Sequence, residues 1–255
     1  MIPKSTIASF LLLLPAAVVA VPATLADPEC APGGNFDLSF WNLQLPTGDS
    51  GTFTTIKSAE LQGCFGYEDS NFSTDKSSGA IVLIAPGNPD LTHCSKSSGS
   101  KHCRTELREV DSKTGKNAAW SPKKTNRLTV TMTVEEADDG SHGTAIGQVF
   151  ASDASKPLAE MYYSRKGEIV VGVKPDANSG QIVTKVGNVA VGTEFEYKLE
   201  YSNDVLTVTI NGKATNLDTG SWDSPNCYFK AGNYNQGKSA DSSKVVIAAI
   251  KVSHS

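Results

Sequence analysis

Two tyrosines, a lysine and several amides are packed into one stretch near the end of the chain, Cys227-Tyr228-Phe229-Lys230-Ala231-Gly232-Asn233-Tyr234-Asn235-Gln236. If this is a strand, alternation puts Lys230, Gly232, Tyr234 and Gln236 on one face and Phe229, Ala231 and Asn233 on the other. A cation, a phenol and an amide on one pleated surface, with a glycine where a ligand could approach the backbone, suit a polar, anionic substrate. A second stretch, Lys101-His102-Cys103-Arg104-Thr105-Glu106-Leu107-Arg108-Glu109-Val110-Asp111, groups His102, Arg104, Glu106 and Arg108 opposite Cys103, Thr105, Leu107 and Glu109. Burying two guanidinium groups without partners costs several kcal/mol, so this face lines a cleft or, more simply, is a solvated strand whose Glu106 pairs with its arginines. In Ile146-Gly147-Gln148-Val149-Phe150, Gln148 and Phe150 face the same way.

The elements that must position these residues read as strands. Alternating or β-branched runs recur at 80–84, 127–134, 168–173, 195–201, 206–210 and 244–250, separated by turn residues such as Asn211-Gly212 and Asp138-Asp139-Gly140. Helical periodicity is confined to 58–62. The expected architecture is all-β, an antiparallel β-jelly-roll sandwich whose concave sheet forms a groove. No repeat, linker or low-complexity block divides it, so 27–255 reads as one domain, large enough to bury a sizeable core.

Residues 1–26 have a lysine, an apolar run through Leu11–Leu14 and Ala16–Ala20, then small residues. This is the pattern of a signal peptide, cleaved after Ala20, Ala23 or Ala26, and it predicts a secreted, extracellular protein. The run is short for a bilayer span, and no membrane partner is expected. Five cysteines in an exported chain predict two disulfides and one thiol left over. Sequence proximity suggests Cys94 with Cys103 and Cys30 with Cys64, leaving Cys227 free, although sequence alone does not fix connectivity. Asn71-Phe72-Ser73 is a glycosylation sequon. The formal net charge of −4 argues against nucleic acid as a partner, and any polyanion would have to be held by a local cluster such as Arg104, Arg108 and Lys230, with Arg165 or Lys166 as further candidates. No Cys or His spacing suggests a transition metal, and the Asp- and Asn-rich loops have no calcium-ligand spacing, so no metal or cofactor is expected. A monomer is the default.

Arg104-Thr105-Glu106-Leu107-Arg108, Gln148-Val149-Phe150 and Tyr228 through Gln236, taken in order, resemble the three sequence blocks of polysaccharide lyase family 7, the alginate lyases. Trp41-Asn42-Leu43-Gln44-Leu45-Pro46 resembles the family's opening strand, so the likeness spans the mature chain. It has the character of a secreted fungal-type member. It departs in the middle block, where the family pattern has histidine and this chain has Phe150.

The resemblance implies β-elimination at a uronate. That reaction needs the C5 carboxylate neutralised, a base for the C5 proton and an acid for the departing O4. Arg104 and Gln148 suit the first task and Tyr234 the last, with a nearby cation expected to favour its phenolate so that it can also take the proton. Arg108 and Lys230 read as substrate contacts or as charges tuning that phenol; Gln236 and Phe150 read as further substrate contacts. In mannuronate and glucuronate the C5 proton and O4 lie on one side of the ring, and one tyrosine can serve both. In guluronate they lie on opposite sides and a second group is needed, the role the resemblance gives to the missing histidine. The expected preference is therefore mannuronate, with His102 the candidate replacement base and His142, His93 and His254 weaker ones. The alternatives are a lyase for glucuronan, a glycoside hydrolase using Glu109 and Asp111, and a non-catalytic carbohydrate-binding module.

Overall fold

The computed structural model describes residues 26–49, 51–97 and 99–255, so the signal-peptide reading lies almost wholly outside the described residues. Fifteen strands follow in chain order: β1 (Trp41–Leu45), β2 (Thr54–Ile56), β3 (Phe72–Thr74), β4 (Ile81–Ala85), β5 (Arg104–Glu109), β6 (Asn126–Glu136), β7 (Thr144–Ala151), β8 (Lys156–Tyr163), β9 (Glu168–Val173), β10 (Ile182–Asn188), β11 (Phe195–Ser202), β12 (Val205–Ile210), β13 (Lys213–Leu217), β14 (Cys227–Tyr234) and β15 (Ser243–His254). Among the described residues the helices are single turns: α1 (Pro32–Asn35), α2 (Pro89–Thr92) and a 3-10 turn at Ser58–Leu61, where the sequence suggested helix.

Among the described residues every strand pairing is antiparallel. Eight strands form one sheet in the order β10-β9-β8-β7-β14-β5-β1-β2, and seven form the other in the order β13-β12-β11-β6-β15-β4-β3. The fold is a β-jelly-roll sandwich. Between the sheets lies one continuous core that includes Trp41, Leu43, Leu107, Tyr163, Phe195, Tyr197, Tyr201 and Phe229. The two sheets bury their strands differently. β6 and β11 alternate between buried and exposed positions, as expected when one face packs on the core and the other meets water. β1, β5 and β14 are buried at nearly every position, so their second face is covered as well. On these three strands the polar residues Gln44, Arg104, Glu106 and Lys230 are packed side by side rather than solvated.

Two irregularities shape the middle of this sheet. β7 carries one extra residue against β8 between Ala145 and Gly147, and Tyr197 anchors that bulge by donating its hydroxyl to the Ile146 carbonyl at 2.9 Å. β14 carries one extra residue against β7 between Ala231 and Tyr234, and there Gly232 takes φ +140°. The alternation expected Gly232 on the substrate face. Instead, a Cβ at Gly232 would point inward, 2.8 Å from the Thr105 carbonyl and 3.2 Å from Leu83 Cδ2 on the opposite sheet. The glycine serves the bulge, and Asn233 beside it donates to the carbonyls of Leu83 and Ser243 at 2.9 and 2.8 Å, tying the sheets together. Gly232→Ala is expected to cost about 1–3 kcal/mol in denaturant unfolding and to lower activity by displacing Tyr234.

The cysteines pair as Cys30–Cys64 and Cys94–Cys103, and Cys227 is a buried free thiol. The second bridge closes the loop that brings Ser100 and His102 to the mouth of the groove.

Candidate active site

A groove of about 500 Å³ runs across the eight-stranded sheet, floored by Gln44, Arg104, Gln148, Glu160, Lys230 and Tyr234 and flanked by Phe53, the 99–102 loop and Gln236. Strand register places the floor residues. Lys230 lies opposite Arg108 on one side and Gln148 on the other; Gln148 lies opposite Glu160; Tyr234 lies opposite Arg104 and Ala145, and Ala145 opposite Tyr162.

Glu106, completely buried, is the hub. Its Oε2 accepts from Lys230 Nζ at 2.5 Å and Arg104 Nη1 at 3.3 Å, and its Oε1 accepts from Gln148 Nε2 at 2.5 Å. Two cations against one carboxylate leave the cluster with one net positive charge, the balance needed to take one uronate carboxylate out of water. Donors remain for it. Among the described residues Arg104 Nε has no partner, and Gln148 Nε2 carries a second hydrogen beyond the one given to Glu106. Burial holds the Lys230 ammonium below its usual range in spite of Glu106.

Tyr234 stands at one end of this cluster. Its ring rests on Ala145, Tyr162 and Val170, and the Arg104 guanidinium lies over it at 4.0 Å. Its hydroxyl is 2.9 Å from Ser100 Oγ, which also accepts from Arg104 Nη2 at 2.8 Å and donates to the His102 carbonyl at 3.0 Å. Burial pushes the phenol's pKa up, and Arg104 and Ser100 only partly oppose it. The neighbouring cation favours the phenolate as expected, but burial outweighs it, and the resting group is the phenol. The His102 ring meets Tyr234 edge-on at 6.0 Å, and burial together with Arg104, Lys96 and Lys101 lowers its pKa against the pull of Asp138, which favours the neutral imidazole.

This is a groove with a phenol, a neutral imidazole and a partly spent arginine–amide pair, on a jelly roll. The family model for alginate lyase matches residues 36–254. The chain belongs to the alginate lyase family. A curated alginate lyase from Klebsiella pneumoniae is 24% identical, with the match covering 92% of this chain and 94% of the relative. Among solved structures, family 7 alginate lyase A1-II', as a variant in complex with substrate (GGMG), is 28% identical at a TM-score of 0.75, covering 89% of this chain and 97% of that one. An alginate lyase from Pseudomonas aeruginosa is 26% identical at a TM-score of 0.74, covering 86% and 100%. The protein is a polysaccharide lyase.

In this alginate lyase family member, Arg104, Gln148, Phe150 and Tyr234 reach the groove from their strands, as alternation suggested, whereas His102 and Gln236, grouped with them on the same expectation, lie just outside β5 and β14 and reach it from loops. Three readings need correction. Lys230 is 2% exposed and its ammonium ends on Glu106, so it is a buried counter-charge rather than a free substrate contact. Arg108 lies over the Tyr228 ring at 4.1 Å and binds Asn117 Oδ1, so the phenol it tunes is Tyr228, not Tyr234. The solvated-strand reading of 104–109 also fails, because Glu106 pairs with Lys230 and Gln148 from neighbouring strands as well as with Arg104.

Residues proposed for other roles are committed elsewhere. Glu109 sits behind the sheet, accepting from Trp120 Nε1 at 2.8 Å and the Phe229 amide at 2.7 Å and lying 2.7 Å from His254 Nε2. Asp111 caps an exposed turn, so the two carboxylates do not form a hydrolase pair. Arg165 donates to the Ala137 carbonyl and pairs with Asp241, away from the groove, and exposed Lys166 does not line it. His142 packs on Tyr162, beside a smaller pocket that His102 and Gln236 share with the groove. Phe150 stacks on Tyr228 at 5.0 Å, placing an aromatic surface on the groove lining. Ser100, Phe53 and Glu160 escaped the sequence reading. Only a strand assignment for 156–163 could have flagged Glu160, and Pro157 argued against one.

Proposed function

We propose that this chain is a secreted alginate lyase that cleaves 1,4-linked uronate polymer by β-elimination and prefers mannuronate. The observation behind this reading is the placement of Tyr234 and His102 together at one end of the Arg104–Gln148 pair, while Phe150, elsewhere on the groove lining, has no group that could take a proton. Proton removal and proton delivery then come from one side of the sugar, the geometry of mannuronate. Glucuronate shares that geometry, which makes glucuronan the neighbouring substrate. Secretion is supported by the leader-like residues 1–26 and by two disulfides, which persist in oxidising compartments.

Arg104 and Gln148 hold the C5 carboxylate and stabilise the charge that moves onto it as the C5 proton leaves. The C5–H electron pair becomes the C4–C5 double bond, the C4–O4 bond breaks, and O4 receives a proton from Tyr234. Products are a chain with a new reducing end and one with an unsaturated uronate at its non-reducing end.

Because the resting Tyr234 is a phenol, the active base is its minority phenolate. The expected result is a kcat that climbs with pH through neutrality into the alkaline range, following that ionisation. A kcat that levels off above about pH 6.5 would assign C5 proton removal to neutral His102 and leave Tyr234 as the acid alone.

A further inference from the structure

Glu160 is the one carboxylate lining the main groove among the described residues, and at that position it should repel a polyanionic substrate. It is nevertheless held in place. Its Oε2 accepts from Gln181 Nε2 at 2.6 Å and from the Tyr162 hydroxyl at 3.1 Å, and the Tyr162 hydroxyl also lies 3.1 Å from Gln181 Oε1. The clamp depends on Gly172, the residue opposite Glu160 on β9, because a Cβ there would collide with Gln181 Oε1 at 2.3 Å. Oε1 of Glu160 has no hydrogen-bond partner and no ion pair among the described residues, although Lys156 and Lys174 line the same groove. Glu160 lies next to Gln148, the amide that faces the substrate carboxylate.

We propose that Glu160 is a proton-dependent contact for a substrate uronate carboxylate: as the neutral acid it donates a hydrogen bond to that carboxylate, and as the anion it repels it. The inference rests on the groove being a uronate-polymer site. The surrounding charges support it. Burial and the neighbouring Glu106 raise the pKa of Glu160, and these outweigh Tyr162, Lys230 and Gln181, which favour ionisation. The other groups that face it or share the groove and titrate or bear charge are Tyr234, Tyr228, Arg104, Lys101, Lys156, Lys174 and His102, with His142 packed behind Tyr162 and Asp138 near His102. Several of these change charge with pH, so the pH dependence of the wild type alone decides nothing. The difference made by one side chain does.

The test measures KM and kcat for polymannuronate across about pH 5 to pH 9 in the wild type, Glu160→Gln, Glu160→Asp and Gln181→Leu. Wild-type KM is expected to rise about tenfold as Glu160 ionises, the size of a like-charge contact at the edge of a protein. Glu160→Gln should lose most of that rise and Glu160→Asp should keep it. Gln181→Leu removes a donor that favours the anion, so it should shift the rise to higher pH. A KM curve for Glu160→Gln that superimposes on the wild type, or a Gln181→Leu curve shifted to lower pH, would overturn the proposal. Calorimetric binding of polymannuronate to Tyr234→Phe with and without Glu160→Gln repeats the comparison without turnover. Wild-type inactivity therefore counts against the proposed activity, whereas identical binding curves count against Glu160.

Discussion

Removing the Tyr234 hydroxyl, as Tyr234→Phe, is expected to lower kcat on polymannuronate by about a thousandfold and to leave affinity within a few-fold, the pattern for a group that acts only in the transition state. The substitution is well isolated. The ring keeps its packing on Ala145, Tyr162 and Val170 and its place under Arg104, and Ser100 keeps its contacts with Arg104 and the His102 carbonyl. What disappears is the only phenol in direct contact with both Arg104 and Ser100 among the described residues. Initial rates of unsaturated-product formation, followed by near-ultraviolet absorbance, measure the loss. A variant retaining a tenth of wild-type kcat would remove Tyr234 from the chemistry.

Glu106→Leu is expected to have the largest effect on stability. It leaves Lys230 and Arg104 buried without their shared anion, and breaking a buried ion cluster by removing one partner costs about 3–5 kcal/mol, a large share of the total for most domains. Because burial already depresses its pKa, Lys230 is expected to release its proton in the variant and recover part of that cost. Pairing Glu106→Leu with Lys230→Met should therefore restore most of the lost stability in urea unfolding, since an apolar pair of similar volume replaces the ions. Activity should not return, because Gln148 loses the acceptor that orients its amide and Arg104 loses one of its two anchors. If the single variant unfolds at the wild-type urea midpoint, Glu106 is not the hub described here.

The two predictions differ in how far the sequence alone could lead to them. Tyr234 was legible because alternation within one strand fixes which side chains share a face, and the same rule grouped Arg104 with Glu106 and Gln148 with Phe150. The role of Glu106 was not, because its partners come from β14 and β7, and the register between strands is not written in any one of them. The same gap turned Lys230 into an expected substrate contact. A lysine on a groove face reads as a free cation until the diagonal neighbour that neutralises it is known.

The strands followed a similar rule. β6, β11 and β12 announce themselves by alternation because one face meets water, and β4, β9 and β15 by β-branched runs. β8 begins next to a proline, β10 is largely exposed and contains Gly187, and β13 is short and polar, so none has a local signal strong enough to separate it from a loop. The inward turn at Gly232 was hidden for another reason: a bulge depends on how two strands pair. The protonation state of Tyr234 was only partly legible, because a neighbouring cation can be inferred from the sequence, whereas burial, which here outweighs it, cannot.

One-sided elimination at a uronate is measured by near-ultraviolet absorbance during incubation of the purified protein with polymannuronate, polyguluronate and glucuronan in parallel. Only elimination creates the conjugated unsaturated uronate that absorbs there. The fastest rise is expected on polymannuronate, with polyguluronate slower by about tenfold or more, the factor that each 1.36 kcal/mol of barrier supplies. A faster rise on polyguluronate would contradict one-sided proton transfer, and no rise on any of the three polymers would contradict the elimination itself.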